Sequence, residues 1–265
     1  MNRIAVCFFF ILTPLVFQAQ TDTDPENYGG KLQLKEFLAL EMMYPDKAIA
    51  DKTEGEVIIS FTVEKDGNVR DAKVSQSVSP EVDTEAMRIF AKLLWNPGRN
   101  IHGTVEMQTS LGIKFQIKKW EKMVKQRGYR KLIYHFEPID TTNILYQFTE
   151  VDRPPKPRFA KADLSYSKFM YDNLKYPEMA RVQGVEGKVA VSFVVETNGK
   201  PSNVIVTSSV GGGCDEEAVR LIQTLSWFAG VKDNKAVRTQ MTLEITFSAA
   251  GNQQNNFEPT NSMIR

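Results

Sequence analysis

The feature that most constrains this chain is an internal repeat. Shifted so that residue 44 falls on residue 176, the sequence aligns with itself without a gap over residues 44–115, and by count about 26 of these 72 positions are identical. Tyr44-Pro45 falls on Tyr176-Pro177, Glu54-Gly55 on Glu186-Gly187, Phe61 on Phe193 and Gly67 on Gly199. Asp83 falls on Asp215, Ala86 on Ala218, Trp95 on Trp227, Gly98 on Gly230 and Phe115 on Phe247. A period this long exceeds that of solenoid repeats and means two copies of one small domain. The copies read as residues 25–117 and 155–250, joined by a linker at 118–154, which suits a chain of 265 residues.

Each copy carries the same string of local signals. An apolar-periodic stretch with Leu34, Phe37, Leu38, Glu41 and Met42 predicts a helix that ends near Tyr44, because a residue before proline disfavours the α region. Val57, Ile59, Phe61 and Val63 alternate, as do Val189, Val191, Phe193 and Val195, which predicts a strand with one buried face. Asp66-Gly67 and Asn198-Gly199 then read as hairpin turns. Asp83 and Asp215 read as helix N-caps ahead of Ala86, Ile89, Phe90 and Leu93 and of their counterparts Ala218, Leu221, Ile222 and Leu225. A last alternating run comprises Val105, Met107, Thr109, Leu111, Ile113 and Phe115, with its twin Val237, Thr239, Met241, Leu243, Ile245 and Phe247. The fold class is therefore α+β: helix, β-hairpin, helix and β-strand, used twice, with an antiparallel sheet covered on one face.

Three segments differ in character. Residues 1–20 open with Arg3, run apolar from Ala5 to Phe17, and turn polar at Gln18-Ala19-Gln20, the pattern of a cleaved secretory signal. An uncleaved anchor is the alternative, but about thirteen apolar residues rise only ~20 Å, short of a ~30 Å hydrocarbon core. The linker has a basic stretch at 118–131 holding Trp120 and Tyr129, expected as a solvated helix, then a strand-like run at 144–151 and a stiff Pro154-Pro155-Lys156-Pro157. Residues 251–265 read as a disordered tail.

Composition and chemistry narrow the function. Lys plus Arg number 33 against 32 Asp plus Glu, a balance that argues against a nucleic-acid binder. Two cysteines and two histidines leave little for a metal or catalytic cluster. With the signal removed, Cys214 stands alone and no intrachain disulfide can form; its counterpart Val82 points to an apolar packing role. His102 sits in a predicted loop without a spaced partner. Asp83 with Glu85 and Asp215 with Glu217 do not face each other on a helix and read as capping acids. Trp95 and Trp227, at equivalent helix exits, read as core plugs. Gly211–Gly213 lacks the Lys-Ser/Thr of a phosphate loop. The expectation is a protein that is no enzyme and needs no cofactor, metal, small-molecule substrate or nucleic acid.

The ordered set Tyr-Pro, Glu-Gly, Asp/Asn-Gly, Asp-x-Glu-Ala-x-Arg, Trp-x-x-Gly and a final strand ending in Phe resembles the TonB C-terminal domain family. It is most similar to versions common in Bacteroidetes-type envelopes. Gly211-Gly212-Gly213-Cys214-Asp215-Glu216-Glu217-Ala218 is similar to the family's helix entry, and Trp95-Asn96-Pro97-Gly98 to its helix exit. The resemblance implies a periplasmic interaction module that captures extended segments of envelope proteins, such as TonB-dependent outer-membrane receptors, beside the last strand. The implied peptide-binding residues are Val105, Met107, Gln108, Thr109 and Leu111, with Val237, Thr239, Gln240, Met241 and Leu243. Tyr44, Pro45, Gly55, Gly67, Asp83 and Trp95, with Tyr176, Pro177, Gly187, Gly199, Asp215 and Trp227, are the implied structural positions. Two other readings stay open: an energy transducer of TonB-dependent transport kept on an uncleaved anchor, and a structural envelope protein that forms homodimers through exchanged edge strands.

Overall fold

In a computed structural model, the protein is described over residues 22–136, 138–159, 165–248 and 259–260. The expected signal sequence and most of the expected disordered tail lie outside these residues. Copy one comprises β1 (Glu26–Asn27), α1 (Gly30–Glu41), α2 (Asp46–Ala50), β2 (Gly55–Val63), β3 (Val69–Gln76), α3 (Pro80–Phe90), β4 (Trp95–Asn96), β5 (Gly98–Asn100), β6 (Gly103–Val105) and β7 (Met107–Phe115). The linker contributes α4 (Ile117–Arg127), β8 (Leu145–Gln147) and β9 (Lys156–Arg158). Copy two repeats the plan as α5 (Tyr166–Asn173), α6 (Glu178–Gln183), β10 (Gly187–Val195), β11 (Pro201–Ser208), α7 (Cys214–Thr224), β12 (Ser226–Phe228), β13 (Gly230–Lys232) and β14 (Lys235–Phe247). A short β15 (Pro259–Thr260) follows, within the stretch expected to be disordered.

Alternation drives both sheets. Val57, Ile59, Phe61 and Val63 are buried from β2, and Val189, Val191, Phe193 and Val195 from β10. The sheet orders are β3-β2-β7 and β11-β10-β14-β13. The central pair keeps one register in both copies: Gly55 opposes Phe115 and Val63 opposes Met107, as Gly187 opposes Phe247 and Val195 opposes Thr239. Val82, Ala86, Ile89 and Phe90 of α3 cover one sheet; Cys214, Ala218, Leu221 and Ile222 of α7 cover the other. Trp95 lies 4.6 Å from Phe61 between ring centroids, and Trp227 lies 5.2 Å from Phe193. Both copies are thus α+β units of one design.

The repeated motif residues fasten turns to helix ends. The Tyr44 hydroxyl donates to the Thr53 carbonyl and that of Tyr176 to the Val185 carbonyl, each at 2.6 Å. Pro45 and Pro177 stand immediately before α2 and α6, two short helices that the periodicity did not reveal. Asp83 and Asp215 are not N-caps. The caps are Ser79 and Gly213, and the two aspartates lie inside α3 and α7, where their carboxylates reach back to accept the Val78 and Val210 N–H groups at 3.0 and 3.1 Å. Glu85 accepts the Met43 N–H and Glu217 the Lys175 N–H, both at 2.7 Å. Arg88 and Arg220, held by these glutamates, donate to the Glu41 and Asn173 carbonyls at 2.8 Å. Backbone groups left over at the ends of α1 and α5 are thereby satisfied from a neighbouring helix.

The hairpins are wider than the expected two-residue turns. Glu64 N–H donates to the Asn68 carbonyl and Glu196 N–H to that of Lys200. Gly199 has φ +76°, and a Cβ there would lie 2.1 Å from the Trp227 carbonyl oxygen; at Gly67 the values are +88° and 2.5 Å to Trp95. Glycine lets the tryptophan backbone lie directly on the turn. The last strand, expected to run unbroken, does so as β14 but divides in copy one at Glu106, where β6 turns to pair with β5. Gly199→Ala is expected to cost about 3 kcal/mol or more, since left-handed strain adds to a backbone collision. Gly103→Ala, with φ +118° and nothing within 4 Å of the added carbon, should cost about 1 kcal/mol. Urea unfolding midpoints will rank the two.

Candidate binding edge and the junction between the copies

The two final strands meet different neighbours on their outer sides. Among the described residues no strand pairs with the outer margin of β7. Met107, Thr109 and Leu111 are half-buried on its inner face, while Gln108, Ser110 and Lys114 are exposed. The margin of β14 is occupied. β8 runs parallel to it, placing Leu145, Tyr146 and Gln147 opposite Arg238, Thr239 and Gln240; β15 pairs antiparallel with Thr242 and Leu243; and β13 covers Val237. Val237, Thr239, Met241 and Leu243 are buried, the last two in the core beneath α7. The expectation of a vacant edge in copy two therefore fails on geometry: the linker, placed beside β14 by its own chain, has filled it. Val105 belongs to β6, which pairs with β5, so it lies outside the open stretch.

The linker also reshapes copy one. α4 is not merely solvated: Trp120 is 2% exposed and its indole N–H donates to the Met42 carbonyl at 3.3 Å. Arg127 donates to the Ala39, Leu40 and Met42 carbonyls at 2.8–3.0 Å and closes the C-terminal end of α1. Lys118, Lys119, Lys122 and Lys125 remain exposed on the other side.

A buried ionic network joins the copies. Lys92, after α3, lies 2.9 Å from the Glu41 carboxylate and 3.2 Å from that of Glu196 in the second hairpin. Arg238 of β14 pairs with Glu196 at 3.0 Å and also donates to the Lys92 carbonyl at 2.7 Å. Ser202 donates to Glu196 at 2.6 Å, and Asn198 to Glu41 at 2.5 Å. Asn203 donates to the Lys92 carbonyl and accepts the Leu94 N–H. Burial opposes the charge on Glu196, yet Arg238 and Lys92 hold its carboxyl below the usual carboxylate range. Burial likewise opposes the charge on Lys92, and Glu196 and Glu41 hold it above the ordinary lysine value. In the sequence Glu41 counts only as part of a helix and Asn198 as part of a turn, and Glu196 is identical to its counterpart Glu64. A signal was present at three of the positions, where the copies differ: Glu41 matches Asn173, Lys92 matches Thr224 and Arg238 matches Glu106.

Cys214 is buried, and burial, with Asp215 and Glu216 nearby, pushes its thiol up. His102 is exposed in the β5–β6 turn. The paired acids serve the backbone contacts described above. Among the described residues no group of His, Cys, Asp or Glu could hold a metal ion, and no helix is long and apolar enough to cross a membrane.

Glu196→Ala would leave Lys92 and Arg238 buried with the charge they share removed, a change worth about 3–5 kcal/mol. A carboxylate held low by its neighbours is ionised in the folded state while the unfolded chain already binds protons, so its contribution is complete above the unfolded value and lost as pH falls towards the folded one. Urea midpoints measured below about pH 4.5 should therefore fall more steeply for the native chain than for Glu196→Gln.

The family model described as the Gram-negative bacterial TonB protein C-terminal matches residues 41–117 and 172–249, together more than half of the chain. Among solved structures, the NMR solution structure of the Helicobacter pylori TonB C-terminal domain is similar at 21% identity and a TM-score of 0.24, over 32% of this chain and 79% of that one. No curated protein matches the chain.

Proposed function

The chain belongs to the family of Gram-negative TonB C-terminal domains, and we infer from the open margin of β7 that it is a periplasmic protein-interaction module. Its partners are envelope proteins, TonB-dependent outer-membrane receptors among them, and an extended segment of the partner adds to copy one as a further strand.

The observation that carries this reading is the state of the two equivalent margins. At β14 the chain supplies its own extended segments, β8 opposite Arg238–Gln240 and β15 opposite Thr242–Leu243. The matching residues of β7, 107–108 and 110–111, have no such cover among the described residues. Unpaired N–H and C=O groups on a strand margin are a template for strand addition. The internal segment also hints at what suits the site: Gln147 donates to Gln240 at 3.1 Å, and Gln108 holds the same position in copy one, exposed. At a net ~1 kcal/mol per hydrogen bond, four to six bonds give affinity around millimolar to micromolar after ordering costs. The role is capture rather than catalysis.

Proline scanning tests it. Neighbouring residues of a strand point their N–H groups to opposite sides, so one of Gln108→Pro and Thr109→Pro removes a bond to β2 and the other only an outward donor. The variant that keeps native circular dichroism is expected to lose binding to synthetic receptor segments at least about tenfold, roughly 1.4 kcal/mol. Undiminished binding by that folded variant would exclude β7 as the docking strand.

A further inference from the structure

A basic cleft opens where the linker meets the second hairpin. Arg158 of β9, Lys200 beyond Asn198-Gly199, His135 of the linker and Arg127 at the end of α4 line a cavity of about 210 Å³. No carboxylate lines it among the described residues. Arg127 spends its donors on backbone carbonyls and contributes charge alone. Lys200 makes one long contact, 3.3 Å to the Ser226 hydroxyl. Burial and then the charge of Arg158 lower both His135 and Lys200 from their ordinary values. Arg158 and Lys200 therefore converge on a cavity that no described carboxylate lines, in a chain whose formal net charge is only +1.

A second cavity of about 600 Å³ adjoins the first through His135 and is lined by Phe136, Phe228 and Val231, with Arg153 and Lys156 beside them. Its one acid, Asp152, accepts the Asp233 N–H. Phe228 is 52% exposed, unusual for so large an apolar ring. Copy one differs at the equivalent positions: Asn68 stands at that of Lys200 and Asn96 at that of Phe228. The strand pairing shows the same replacement, with Glu26 opposite Asn96 but Lys156 opposite Phe228.

We propose that this cleft binds an amphiphilic phosphate, the phosphate group held by Arg158 and Lys200 and its apolar body lying against Phe136 and Phe228. Two cations with free donors, backed by the field of Arg127, match a doubly charged group, and the guanidinium fork suits phosphate oxygens. The site is separate from the β7 margin and does not rest on strand addition. A membrane-lipid headgroup and a free phosphate ester share this chemistry.

The test uses the full chain with phenyl phosphate, inorganic phosphate, and phosphatidylcholine vesicles with and without phosphatidic acid. Phenyl phosphate is expected to shift the His135 imidazole resonances, to raise the pH at which that ring titrates, and to bind at least about tenfold more tightly than inorganic phosphate. Arg158→Gln and Lys200→Gln, both on accessible side chains, should each weaken phenyl phosphate about tenfold while leaving the urea midpoint in place. Sedimentation with phosphatidic acid vesicles, abolished by Arg158→Gln, would identify a lipid headgroup as the source; binding of the soluble ester without vesicle sedimentation would identify a free ester. Unmoved His135 resonances with both ester and vesicles, equal affinity for the two phosphates, or undiminished binding by Arg158→Gln would each overturn the proposal.

Discussion

Backbone N–H and C=O groups at the margin of a sheet must find partners, in water or in another segment of chain, and this requirement organises the molecule. Each copy folds around a central strand, β2 or β10, whose two sides are both paired. The last strand then carries one satisfied side and one that the rest of the chain either covers or leaves. In copy two the linker and β15 cover it, and residues from Ala236 to Leu243 are largely buried as a result. In copy one no described segment covers it. Identical strand register in the two copies makes the comparison direct, since the same backbone positions are seen once filled and once vacant.

The junction is where two such similar units differ most in their charged residues. The second hairpin enters the first copy beside the ends of α1 and α3, and a tight set of opposite charges closes over it. Burying charges is costly unless they are paired and hydrogen-bonded, and here Glu196 and Lys92 each meet two or more partners. The arrangement is head-to-tail: the face that copy two uses has an equivalent in copy one, where Glu64, Arg70, Asp71 and Glu106 form surface ion pairs instead. Such a contact could in principle extend into a chain of copies. Copy two has Asn173 and Thr224 where copy one offers Glu41 and Lys92, so it lacks the charged groups that receive the second hairpin.

Much of each copy was legible in the sequence, and the unread parts share a cause. Alternation at Val57–Val63 and the tryptophan at each helix exit are local patterns, and they gave the sheet faces and the core correctly. The hairpin width, the capping residues Ser79 and Gly213, and the short helices after Pro45 and Pro177 depend on hydrogen bonds a few residues away, and the reading missed them. The pairing of β8 with β14 joins residues far apart in the chain and carries no local mark beyond a strand-like run at 144–151. Glu41, Lys92, Glu196 and Arg238 look like surface charges until a second copy is laid against them. Reading the repeat for its differences, as well as its identities, is what would have exposed both the junction and the basic cleft.

Among the described residues the margin of β7 is vacant, while its twin at β14 is filled by the chain itself. Amide hydrogen exchange, resolved by residue in the full chain at neutral pH, tests this difference most directly. Strong protection is expected on inward and outward amides alike of β14 from Arg238 to Leu243, with fast exchange at the outward amides of β7 and new protection at those β7 amides when a receptor segment is added. Equal protection of both margins before addition, or protection gained at β14 while β7 stays fast, would contradict it.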